Sequence, residues 1–140
     1  MKVSDNFELQ ELVPPETFNA MGPGSVSLLD QRLLKVLERI RILCGNRAMT
    51  INNWHRGGKF KYRGYRPKTC TVGAPKSMHR DGKAVDFDVA GLSAEAVRNI
   101  IRANATELLK LGLTRIEAGV SWVHIDLKYT GLPTLYEFRP

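Results

Sequence analysis

Cysteine is scarce in this chain: Cys44 and Cys70 are the only two among 140 residues. So few cysteines, without CxxC spacing, exclude a disulfide framework. They read as structural thiols, with a single disulfide between them as the alternative. Long apolar runs are also missing. No stretch reaches the roughly eighteen consecutive apolar residues that a membrane-spanning helix needs. The opening MKVSDNFELQ lacks the apolar core of a secretory signal. Repeats, low-complexity tracts and linkers are absent, so a single domain over 1–140 is expected. Acidic residues are outnumbered, 14 against 21 lysines and arginines, which leaves a net charge of +7. That surplus favours an anionic partner, whether nucleic acid, an acidic membrane surface or an acidic cell-wall polymer, and does not choose among them.

What is present begins with a turn-rich stretch, Val13 to Gly24, expected to form an arm on the surface. SLLDQRLLKVLERIRILCG then reads as a helix capped by Ser27 and ended by Gly45. Its apolar face is Leu29, Leu33, Val36, Leu37, Ile40 and Leu43. Ala48 to Trp54 reads as a strand, followed by a long basic and glycine-rich loop. KAVDFDV is a second strand. SAEAVRNIIRANATELLKLG is a second helical stretch, capped by Ser93 and stopped by Gly112. LTRIEAGVSWVHIDLKY reads as a hairpin. This order predicts an α+β fold with a central antiparallel sheet and flanking helices.

Chemistry concentrates in SMHRDGKAVDFD, Ser77 to Asp88, and in the hairpin. Buried carboxylates cost several kcal/mol unless paired, typically with a cation or a metal. A two-residue turn at Gly119-Val120 would set Glu117 opposite Trp122 and bring Glu117, His124 and Asp126 to one face. Asp86 and Asp88 likewise share a face, with His79 just upstream and Gly82 turning the chain. Two histidines and a carboxylate, His79, His124 and Asp86, with a fourth position for water, form a catalytic zinc arrangement. A nearby glutamate could then accept a proton from the attacking water. Taken singly, each signal has a plainer explanation: an accidental spacing, a core histidine, a surface charge beside Arg115.

SMHRDGKAVD fills every fixed position of the S-x-H-x-x-G-x-A-x-D signature, and so resembles the LAS metallopeptidases (lysostaphin, D-alanyl-D-alanine peptidase and sonic hedgehog types). SWVHID is similar to the family's second motif. NFELQELVPPETF, GYRP and GAPKSMH resemble further segments of carboxypeptidase-like members. The resemblance implies an LAS fold and a Zn2+ ion held by His79, Asp86 and His124. It also implies a substrate contact at Arg66, with Arg56 as the alternative, and a role for Ser77 in holding the histidine loop or meeting substrate. In many relatives the base is an acidic residue three positions before the last histidine, where this chain has Ser121. Glu117 is therefore the expected base, with Asp126 second, either as base or as a partner orienting a ligand.

The implied activity is zinc-dependent hydrolysis of peptidoglycan stem peptides or cross-links, as a D-Ala-D-Ala carboxypeptidase or an endopeptidase. The expected protein is a monomer made in the cytoplasm and acting at the bacterial wall, as a phage lysis protein would. The competing class is a non-catalytic, zinc-stabilised binding module of hedgehog type. Nucleic-acid binding has only the basic loop RGGKFKYRGYRPK in its favour, with no accompanying motif.

Overall fold

The computed structural model describes every residue except Pro75, which falls within the GAPKSMH segment. Among the described residues there are four α-helices and a five-stranded sheet. The helices are α1 (Pro15–Met21), α2 (Gln31–Leu43), α3 (Ala94–Ala103) and α4 (Ala105–Leu111). The strands are β1 (Met49–Thr50), β2 (Ala84–Val89), β3 (Arg115–Glu117), β4 (Val123–Asp126) and β5 (Tyr136–Phe138). Their spatial order is β1-β2-β4-β3-β5. The first four pair antiparallel, but β5 joins β3 in parallel, so the sheet is mixed rather than antiparallel throughout. A three-residue C-terminal strand with no strong pattern of its own causes that difference.

The alternation along the strands separates packing from chemistry. Val85, Phe87 and Val89 of β2, Ile116 of β3, and Val123 and Ile125 of β4 join one apolar core with Leu33, Leu37 and Ile40 of α2 and Val97 and Ile101 of α3. The opposite face carries Asp86, Asp88, His124, Asp126, Arg115 and Glu117. Loops cover that face as well, which is why all four residues of β4 are buried.

Several local expectations are corrected. The stretch from Val13 to Gly24 is not an irregular surface arm: Pro15–Met21 forms α1, Val13 is a core residue and Thr17 is buried. Asp30, not Ser27, caps α2, its side chain accepting from the Arg32 amide at 3.0 Å. Ser27 instead bonds the Gly24 carbonyl within a 3-10 turn. Leu34 replaces Leu43 on the fully buried face of α2.

The strand expected over 48–54 ends at Thr50 because asparagine side chains take over the backbone. Asn52 bonds the Val13 carbonyl and the Arg63 amide, and Asn53 accepts from the Phe60 amide. Asn104 similarly divides the second helical stretch, its side chain bonding the Ile100 carbonyl at 2.8 Å. Both cysteines are free and buried, as structural thiols would be.

Candidate metal centre and active site

Five strand residues and one short helix build the site. β2 lies against β4 with Asp86 opposite His124. β3 lies against β4 with Glu117 opposite His124 and Arg115 opposite Asp126. The turn is thus not the two-residue Gly119-Val120 hairpin, and Glu117 does not face Trp122. A five-residue loop, 118–122, joins the strands, and Arg98 holds it by donating to the carbonyls of Val120 and Trp122, each at 3.0 Å. The register moves by two residues, so parity survives. Glu117 becomes the direct neighbour of His124 rather than a diagonal one.

His79 arrives from the other side, on a 3-10 turn over Met78–Asp81. Ser77 caps that turn, its Oγ accepting from the His79 amide at 3.2 Å. Gly82 ends it at φ +67°, and any β-carbon there would sit 1.9 Å from the Leu28 carbonyl oxygen. Only glycine fits this close left-handed turn. Gly64 is equally constrained, since a β-carbon would lie 2.4 Å from the Leu12 carbonyl oxygen. That approach lets the Gly64 carbonyl accept from His79 Nδ1 at 2.9 Å. A carbonyl only accepts, so Nδ1 carries a proton there, and Nε2 lies 3.4 Å from Asp86 Oδ2.

His124 is held at both nitrogens. Nδ1 donates to Asp86 Oδ1 at 2.7 Å and Nε2 donates to Asp126 Oδ2 at 2.8 Å. Burial alone would lower the His124 pKa, but its bonds to Asp126 and Asp86 outweigh burial and push it up to about 9. Burial would likewise raise both aspartates. For Asp86 the bonds from His124 and His79 prevail, for Asp126 those from His124 and Arg115, and both carboxyls lie below the usual range. Arg115 grips Asp126 with Nε at 2.8 Å and Nη2 at 2.7 Å. Asp126 is fully buried and spent on these bonds, so it has no free edge from which to act as a base.

One ligand atom each from His79, Asp86 and His124 lies within 4.8 Å of the other two. Two imidazole nitrogens and one carboxylate oxygen are the donor set of a catalytic zinc, with a coordination position to spare. Nδ1 of His79 is tied to the Gly64 carbonyl and Nε2 of His124 to Asp126, the outer contacts typical of ligating histidines; metal binding would displace the proton on His124 Nδ1. The residues fit a zinc ion.

A cavity of about 430 Å3 opens over this group, lined also by Arg66, Ser77, Glu117, Trp122 and Lys128. Of Arg66 and Arg56, it is Arg66 that lines the cavity. It donates from Nε to the Tyr62 carbonyl at 2.7 Å and from Nη2 to Asp86 Oδ2 at 3.3 Å. Arg56 lies elsewhere, exposed and 3.9 Å from Glu8. Glu117 has no hydrogen-bond or ion-pair partner among the described residues, unlike Asp86 and Asp126. Asp88 leaves the site to pair with Arg63 at 2.9 Å. Sequence reasoning missed Arg115 as the clamp on Asp126, although strand parity alone puts both on the site face. It also missed Phe138, whose approach depends on the parallel return of β5.

No helix among the described residues is long and apolar enough to cross a membrane. No curated protein and no solved structure matches the chain. The sequence model of the family described as Peptidase M15 matches residues 6–126, a span that contains all three candidate ligands and Glu117. This family implies an LAS-type fold, in keeping with the α+β architecture. The chain belongs to the Peptidase M15 family, metallopeptidases of the zinc D-Ala-D-Ala carboxypeptidase-like kind.

Proposed function

We infer that the chain hydrolyses peptide bonds in peptidoglycan stem peptides or cross-links, with His79, Asp86 and His124 as zinc ligands and Glu117 as general base. The observation that carries this reading is the unbonded Glu117 carboxylate directly across the strand pair from His124, in the cavity that holds the three candidate ligands. Bound zinc would supply a Lewis acid for the scissile carbonyl and lower the pKa of the attacking water. Glu117 takes the proton from that water and returns it to the leaving amine. The Gly64 carbonyl and Asp126 fix the two imidazole rings. Arg66 balances Asp86 and faces the substrate's developing negative charge. Ser77, beyond capping the His79 turn, presents a hydroxyl to bound peptide. Lys76 and Lys128 line the same cavity and have no ion-pair partner among the described residues, which suits a substrate bearing carboxylates.

The test is zinc analysis of the purified protein together with mass spectrometry of digested peptidoglycan, for the wild type and Glu117→Gln. Stoichiometric zinc in both, with turnover lowered about 100- to 10,000-fold in the variant, is expected. Full activity in Glu117→Gln would remove Glu117 from the mechanism. Zinc without cleavage by the wild type would leave a metal-stabilised binding module.

A further inference from the structure

The C-terminal strand β5 lies beyond residue 126, where the family match ends, yet it packs against the centre of the site. It pairs in parallel with β3, and backbone bonds fasten it at both ends of that strand, Ala118 amide to Phe138 carbonyl at 2.8 Å and Tyr136 amide to Thr114 carbonyl at 2.9 Å. From outside the sheet, Arg102 of α3 forks onto the Glu137 carboxylate at 2.9 and 2.7 Å. Register then sets Phe138 beside Glu117, on the site face of β3. The Phe138 ring stands edge-on to His124, with centroids 5.5 Å apart and planes at 85°. Its face carries the Arg115 guanidinium, 4.2 Å from the ring centre.

Two contacts on one ring give Phe138 a double hold on His124. One is direct, an aromatic wall that limits rotation of the imidazole about its side-chain bonds. The other runs through charge. The ring face holds the Arg115 guanidinium in the position where it forks onto Asp126, and Asp126 in turn accepts the Nε2 proton of His124. Nothing in the core requires an aromatic side chain here, since Phe138 is partly exposed and stands apart from the apolar cluster on the other face of the sheet.

We propose that β5 is a working wall of the active site and that Phe138 is a positioning residue, fixing the orientation of His124 directly and through the Arg115–Asp126 pair. This rests on the reading of His79, Asp86 and His124 as the metal ligands. Glu137 and Arg102 serve the same end by clamping the strand in place.

The experiment compares wild type, Phe138→Ala, Phe138→Leu, Phe138→Tyr and Glu137→Ala, each verified as folded by circular dichroism and thermal transition. Zinc affinity is measured by competition with a chelator, and the ligand field by the visible absorption of the cobalt-substituted proteins. Phe138→Ala should bind zinc about ten- to a hundredfold more weakly. Its cobalt spectrum should shift, and kcat should fall more than KM changes. Phe138→Tyr, which keeps the ring, should restore all three readouts. Phe138→Leu, which fills space without an aromatic face, should not. Glu137→Ala should give a weaker copy of the alanine phenotype. Wild-type zinc affinity and an unchanged cobalt spectrum in Phe138→Ala would overturn the role of Phe138 while leaving the metal site intact. Failure of the wild type to bind either metal would sink the underlying reading of the site, and this proposal with it.

Discussion

The strand-borne half of the cavity, Asp86, Arg115, Glu117 and His124, and the loop-borne half, Arg66, Ser77 and His79, are held by different forces. On the strands, position follows from ladder register. Every second residue faces the site, and the apolar residues between them are locked into the core behind. On the loop there is no ladder to set position. Backbone contacts do it instead: Tyr65 amide to Leu12 carbonyl at 2.7 Å, Arg66 amide to His79 carbonyl at 3.1 Å, and Asp30 amide to Gly82 carbonyl at 3.0 Å. The loop-borne half therefore depends on the N-terminal segment and the start of α2, both distant in sequence. The comparison teaches that a site can be rigid on both sides while only one side is built by a repeating pattern.

Breaking the strand side should have the largest effect. Asp126→Ala removes the partner of a half-buried arginine and of His124. A loss of about 3–5 kcal/mol in urea unfolding is expected, along with zinc binding weakened about ten- to a hundredfold. Next comes the loop side. Gly82→Ala forces a β-carbon into the Leu28 carbonyl at positive φ. It should cost about 2–3 kcal/mol and lower zinc affinity by moving His79. If Gly82→Ala leaves affinity untouched, the loop is softer than its contacts imply and the contrast between the halves collapses.

Smaller changes sharpen the comparison. Ser77→Ala deletes the cap of the His79 turn and should destabilise by about 1 kcal/mol, read from the shift in denaturant midpoint. Asp30→Ala tests the support behind that loop. The Asp30 carboxyl is held below its ordinary value of 3.8 by its bonds to Arg32, against a smaller opposing effect of burial. A carboxyl with a depressed folded-state pKa stabilises the protein above its unfolded pKa, and that contribution fades as pH falls through the folded value. The stability difference between wild type and Asp30→Ala should be about 0.5–1 kcal/mol near neutral pH and should shrink below about pH 4. A pH-independent difference would show that the cap works through shape alone.

Strand residues were the legible ones. Asp86 and His124 belong to short apolar runs whose period of two assigns faces, and Glu117 keeps its face through a register error of two residues because parity ignores even shifts. A register error of one would have turned it into the core. Arg66 was visible only through resemblance, and His79 only as a histidine just upstream of β2, since no local rule says where a long loop will return. The Val13 to Gly24 stretch was misjudged because its prolines read as turn formers, whereas Pro14 and Pro15 open α1 and Val13 belongs to the core. The end of β1 at Thr50 and the division at Asn104 were missed because a side chain that competes with its own backbone shows that preference only when the groups it bonds are in reach.

By itself the sequence determined the class of chemistry: two histidines and an aspartate in motifs that match a zinc peptidase family, on elements whose alternation turns them to one face. Tertiary structure alone decided which cavity carboxylate is left unbonded among the described residues, which of Arg66 and Arg56 lines the cavity, and what stands behind each imidazole. Those outcomes rest on contacts between segments far apart in the chain: Gly64 with His79, Arg115 with Asp126, Phe138 with His124. Strand periodicity is a local property that a sequence displays. The pairing of distant segments depends on how the whole core closes, and only the folded chain expresses it.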